Sequence, residues 1–173
     1  MKLFVLIVLL ILLEIRTKPE FFLENDKNQL LSFKFLTKST KWLFILYSNY
    51  NCIDCVLKLD HFVNSLKDTN IKKGVIIRCD NNIMIKKELL NKIKKLLPGY
   101  YVFFDIHKSE DPWPPCNLKD GIFGYFKVCQ TPSLLFADDK RIKFLSNGFL
   151  FGENFSIEKQ LENEILDFFY KNK

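Results

Sequence analysis

The sequence predicts a single α/β domain, a buried mixed sheet flanked by helices. Three observations predict it. Trp42–Tyr47, Val75–Ile77 and Tyr100–Ile106 are short apolar runs of the kind that fill the middle of a sheet. Between them apolar residues return at helical spacing, at Val56, Leu59, Phe62, Val63 and Leu66 and again at Ile85, Leu89, Ile93 and Leu96. Behind them come two strand-like segments, Ser133–Phe136 and Arg141–Leu145, joined by the turn Asp138-Asp139-Lys140, and then a closing helix from Ser156 to about Tyr170.

Composition supports one folded unit. The chain has 173 residues, 48% hydrophobic and 27% charged, which is long enough for a core and too apolar for disorder. No internal repeat and no second domain is visible. The formal net charge is +6, with the lysines spread along the chain except for Lys86, Lys87, Lys92, Lys94 and Lys95. That cluster reads as the solvated face of the second helix, and no nucleic-acid partner is expected.

The elements follow in order. Lys2 precedes Leu3–Leu13, eleven unbroken apolar residues, and Glu14, Ile15 and Arg16 follow. A charged start and a short apolar run mark an export signal over residues 1–18. The run is too short to span a bilayer comfortably, yet no Ala-x-Ala-like site follows it, so cleavage and retention as a membrane tether both stay open. Residues 19–29 are polar and read as a linker, with the domain beginning at residue 30. Leu30–Leu36 alternates as a strand, with Leu31, Phe33 and Phe35 on one side. Lys38–Lys41 is a turn, Trp42–Tyr47 a central strand, and Ser48–Asn51 a loop into the first helix, which Asp68-Thr69-Asn70 ends. A strand within Gly74–Cys79 follows, then a helix over Ile83–Leu97 that Pro98-Gly99 stops. Tyr100–Ile106 is a strand and His107–Val128 is irregular. Thr131-Pro132 stands directly before the hairpin. In the last helix Ser156 is the N-cap, and Ile157, Leu161, Ile165, Phe168 and Phe169 share one face.

The chemistry points to Cys52-Ile53-Asp54-Cys55. It lies where a buried strand gives way to a helix, so its two thiols share a first helical turn, close enough to form a disulfide. The helix N-terminus favours the thiolate of Cys52. The chain has five cysteines, so one lacks an intramolecular partner if the other four pair. Cys116 and Cys129 enclose a short loop and are the candidates for a structural disulfide, contributing on the order of 3 kcal/mol in the chain-entropy model. Cys79 ends a strand and reads as a core thiol. There is no second CxxC and no His pair at ligand spacing, His61 and His107 lying far apart, so no metal site is expected.

Strand, CxxC helix, strand, helix, Thr-Pro before a hairpin and a closing helix resemble the thioredoxin superfamily over roughly residues 30–171. The separation of Cys55 from Pro132 exceeds that of a minimal thioredoxin. An inserted strand, Tyr100–Ile106, and the loop after it account for the excess. The arrangement looks like the TlpA/ResA-type branch of exported, often membrane-tethered thiol–disulfide oxidoreductases. The resemblance implies a cis bond before Pro132 and a substrate peptide lying along Thr131 and Pro132. It implies Cys52 as nucleophile and Cys55 as resolving thiol, with no cofactor. It also implies a monomer whose partners are thiols and disulfides of exported proteins and a redox partner protein. The protein would then work in the periplasm or facing out of the cytoplasm, or, in a eukaryotic cell, as a secreted or endoplasmic-reticulum protein. There Asn154-Phe155-Ser156 would be a glycosylation sequon.

The site departs from the usual Trp-Cys-x-Pro-Cys pattern of that superfamily. Asn51 replaces the aromatic residue, no proline separates the cysteines, and Asp54 places a negative charge between them, which opposes the Cys52 thiolate. Leu46 stands six positions before Cys52, where many members carry a buried acid. A second reading therefore stands beside the first: a non-catalytic protein-binding module on the same fold, with Cys52 and Cys55 as a structural disulfide.

Overall fold

A computed structural model describes residues 20–48, 53–65, 70–78, 83–106, 120–147, 150 and 157–170. The strands are β1 (Phe22–Asn25), β2 (Leu30–Ser32), β3 (Lys41–Tyr47), β4 (Ile71–Ile77), β5 (Tyr101–Asp105), β6 (Ser133–Ala137) and β7 (Ile142–Leu145). The helices are α1 (Phe33–Leu36), α2 (Ile53–Ser65), α3 (Ile83–Leu96), α4 (Gly121–Tyr125) and α5 (Ile157–Phe169). The strands form one sheet in the order β2-β1-β5-β4-β3-β6-β7. β3, β4 and β5 are parallel neighbours, and β6 joins β3 antiparallel with Leu46 opposite Ser133. This is the central mixed sheet expected from the sequence, with the inserted strand, β5, on the far side of β4.

The two faces of the sheet carry separate cores because side chains alternate along each strand. Leu43, Ile45 and Tyr47 of β3 pack with Val56, Leu59, Phe62 and Val63 of α2, Leu89 and Ile93 of α3, and Leu161, Ile165, Phe168 and Phe169 of α5. Parallel neighbours joined by right-handed crossovers place α2 and α3 on this same face. Trp42, Phe44 and Leu46 point the other way, against Phe21, Leu23, Phe33, Ile122 and Phe123. Gly74 is required on that second face: a Cβ there would stand 2.6 Å from the Phe44 ring. The closing helix is fastened to the hairpin by ions. Asp138 accepts from the Arg141 guanidinium at 2.9 Å, Arg141 also donates to the Phe168 carbonyl, and Lys143 pairs with Glu164.

Three expectations change. Residues 22–25 form β1, which pairs with both β2 and β5 within the region read as a linker, so the fold extends N-terminal of residue 30. Leu30–Leu36 is not one strand: after Ser32 the chain turns into α1, Phe35 is 73% exposed, and the Thr37 hydroxyl donates to the Phe33 carbonyl at 2.9 Å. Trp42 Nε1 donates to the Leu36 carbonyl at 2.9 Å and fixes that turn against β3. The stretch expected to be irregular contains α4, whose first amides are held by a buried carboxylate at the end of β5. Asp105 accepts from the N–H of Ile122 at 2.9 Å and of Phe123 at 3.0 Å. Gly121, at φ 70° and with a Cβ position 2.6 Å from Asp105 Oδ2, is the residue that lets the chain pass.

Candidate active site

The site is built at the end of the sheet where β3 and β4 finish and β6 begins. β3 reads Lys-Trp-Leu-Phe-Ile-Leu-Tyr, buried from Trp42 onward because core covers both its faces. Parallel pairing carries its last residue, Tyr47, next to Ile77. The Arg78 amide extends the ladder by donating to the Tyr47 carbonyl at 2.8 Å. Arg78 itself is buried, at 6% exposed.

Ser48 is the last described residue before the cysteine loop, and it is 7% exposed. Its Oγ lies 2.8 Å from Thr131 Oγ1, a hydrogen bond joining residues 83 positions apart. The antiparallel register of β3 and β6 is what brings the two hydroxyls together. The Thr131-Pro132 bond is cis, as the resemblance implies. Two more side chains hold this segment. Asn147 Nδ2 donates to the Pro132 carbonyl at 3.0 Å, and Ser133 Oγ donates to the Gln130 carbonyl at 2.8 Å. Pro132 is buried and Thr131 half-buried.

α2 starts at this same end, because it must run back along the sheet to let β4 pair parallel with β3. Cys55 is its third residue and is half-buried, with Val56 fully buried behind it. Asp54 is exposed in the first turn, and Ile53 is 43% exposed. Cys52 lies outside the described residues, as do Cys79, Cys116, His107 and the sequon at Asn154. Cys129 is exposed, and its thiol donates to the Lys127 carbonyl at 3.3 Å. Thus the structure brings Ser48, Thr131 and Pro132 together at the end where α2 and Cys55 begin.

Leu46 is fully buried, so no acid faces the core six positions before Cys52. The buried carboxylate of this region is Asp105, two strands away at the end of β5, and its oxygens are occupied by the α4 amides. Ser48 and Asn147 were not legible as site residues, since each acts through a hydrogen bond to a distant backbone or hydroxyl. A short polar side chain directly after a buried strand was the available signal for Ser48. Among the described residues no group of three or more His, Cys, Asp and Glu could hold a metal ion. Nor is any described helix long and apolar enough to cross a membrane.

No protein-family model matches the chain, and no curated protein does. Solved structures match it well. A secreted disulfide oxidoreductase of Mycobacterium tuberculosis, homologous to E. coli DsbE, superposes with a TM-score of 0.54 at 8% identity over 85% of this chain and 95% of that one. A thiol:disulfide interchange protein from Bacteroides sp. gives 0.54 at 13% identity, over 87% of this chain and 86% of that one. The thioredoxin domain of a Bacteroides vulgatus thiol-disulfide oxidoreductase gives 0.53 at 12% identity, over 85% and 94%. At such identities the likeness is one of fold, and it agrees with the resemblance read from the order of elements. The chain has a thioredoxin-like fold, the fold of these thiol–disulfide oxidoreductases.

Proposed function

We propose that the protein is a thiol–disulfide oxidoreductase that acts on exported proteins through Cys52 and Cys55. The observation that carries this reading is the Ser48–Thr131 hydrogen bond, which ties the Thr131-Pro132 segment to the residue that opens the cysteine loop. A partner's extended chain can lie along Thr131 as an added strand, with its sulfur directed at the loop. The Cys52 thiolate attacks one sulfur of the partner disulfide. A Cys52–partner bond forms and the partner S–S bond breaks, the electron pair leaving on the partner's other sulfur, which takes up a proton. The Cys55 thiolate then attacks Cys52 Sγ. The partner departs with both thiols reduced, and Cys52 and Cys55 are left as a disulfide for a redox partner protein to reduce. The reverse sequence oxidises a dithiol partner, and the reduction potential sets which one runs.

The start of α2 favours an anionic Cys52, while Asp54 opposes it. Arg78, directly after β4, is a buried basic residue that follows the strand paired with β3. With Leu46 in place of an acid, proton transfer to and from the thiols requires water or another group. The export signal or tether in Leu3–Leu13 places the work outside the cytoplasm, where disulfides persist. A Cys116–Cys129 disulfide would enclose α4 in a covalent loop.

The test is trapping. Cys55→Ser retains the nucleophile and is expected to accumulate mixed disulfides with exported proteins, whereas Cys52→Ser accumulates none. A Cys55→Ser protein that traps nothing, from a parent that equilibrates with no test disulfide, replaces this reading with the non-catalytic binding module.

A further inference from the structure

We propose that the outer face of α3, together with the β1–β2 edge beside it, rests on the surface of an anionic phospholipid bilayer. The inference builds on the tether reading of the N-terminal segment. α3 contains five lysines and one glutamate. Two of the lysines are engaged: Lys86 pairs with Glu24 at 3.1 Å and Lys94 with Asp26 at 2.6 Å, which fixes the helix to the β1–β2 hairpin. Lys87, Lys92 and Lys95 are exposed. At the N-terminal end of the same helix Ile83 and Met84 are each 81% exposed, beside Lys87.

The neighbouring edge carries the same combination. Phe104 belongs to the core on the α3 side, and strand pairing sets Glu24 opposite Phe104 and Leu30 opposite Glu24. Directly opposed residues share a face, so Leu30, and Phe22 two positions before Glu24, point to the α3 side as well. Phe22 is 44% and Leu30 60% exposed. Large apolar side chains interleaved with lysines are what an interfacial element presents to headgroups: the apolar groups enter the boundary and the ammonium groups meet phosphate.

Chain length fixes the occupant. Phe22 follows Leu13 by nine positions, a reach of roughly 30 Å at full extension. With Leu3–Leu13 in a bilayer, β1 is held within that reach, and β1 is the strand to which α3 is ion-paired. The net charge of +6 acts in the same sense toward an anionic surface. Docked in this way, the strands run along the membrane, and the sheet end that carries Ser48, Thr131 and the start of α2 faces sideways.

The experiment uses the full chain with vesicles of phosphatidylcholine alone and of phosphatidylcholine mixed with phosphatidylglycerol. Lysine acylation by a water-soluble reagent is read by mass spectrometry, and binding by co-sedimentation. Lys87, Lys92 and Lys95 are expected to react at least about fivefold more slowly on the anionic vesicles, and raised salt restores the rate. The triple variant Lys87→Gln, Lys92→Gln, Lys95→Gln is expected to lose about a hundredfold of the preference for anionic vesicles, at about fivefold per lysine. Sedimentation with both vesicle types, with equal acylation on each, leaves the tether standing and overturns the docking. Sedimentation with anionic vesicles alone, with the lysines protected, supports the docking and refutes the tether. Sedimentation with neither overturns both.

Discussion

Deleting one hydroxyl of the Ser48–Thr131 pair tests the site where its geometry is best defined. The oxygens are 2.8 Å apart, and Ser48 is 7% exposed, so water cannot readily replace the lost partner. Ser48→Ala and Thr131→Val should each cost about 1–3 kcal/mol, because each leaves a sheltered hydroxyl with one partner fewer. The double variant should cost less than the two single costs added, with a coupling of about 1 kcal/mol. The pair also ties Thr131-Pro132 to Ser48, directly after β3. Loosening it should therefore slow reduction of a test disulfide by about tenfold to a hundredfold, in proportion to how far the two segments drift apart. Urea unfolding gives the stability terms and single-turnover thiol exchange gives the rate. Single variants that leave both unchanged, or costs that simply add, refute the argument that this bond organises the site.

Three further outcomes follow from the packing and the charges. Gly74→Ala should destabilise by about 1–3 kcal/mol, because the new methyl group meets the Phe44 ring at 2.6 Å inside the sheet; thermal unfolding checks it. Asp138 has its carboxyl pKa pulled up by burial but held below the ordinary 3.8 overall by the amides of Lys140 and Arg141 and by the Arg141 guanidinium. Its contribution is therefore present above pH ~4 and lost as pH falls through the lowered folded-state value, so wild-type stability should fall more steeply below pH ~4 than that of Asp138→Asn in acid titrations. Tyr100 has its hydroxyl pKa raised well above 10.0 by burial and by the Asp60 carboxylate beside it. Its contribution is complete below pH ~10 and declines above it, and Tyr100→Phe should flatten that alkaline decline in chemical-denaturation curves.

The fold was legible in the sequence wherever burial follows a local period. β3 is apolar throughout, and α2 and α3 repeat their buried residues at helical spacing. β1 was not, because only Leu23 of Phe-Leu-Glu-Asn is buried, and the strand exists through pairing with β5 some eighty positions later. The alternation of Leu31, Phe33 and Phe35 misled in the opposite direction. Phe33 is buried and Phe35 is not, because the Trp42 indole and the Thr37 hydroxyl draw the chain into a turn. α4 was hidden for a similar reason: its start is set by Asp105, more than a dozen residues earlier, and by the freedom of Gly121. Thr131 and Pro132 were legible in the sequence as candidates, but Ser48 and Asn147 were not, because their hydrogen bonds to that segment exist only once β6 has been laid against β3. In each failure the deciding contact is long-range, while the sequence displays only its own neighbours.

The proposed activity requires Cys52 and Cys55 to form one reversible redox couple. Equilibrating the full chain across a series of glutathione buffers and counting its free thiols measures this directly. A two-electron transition is expected, with about 30 mV per tenfold change in the equilibrium, that disappears in both Cys52→Ser and Cys55→Ser and persists when Cys129 is replaced by Ser. A chain whose thiol count never changes across the series, or whose transition survives loss of Cys52, would contradict it.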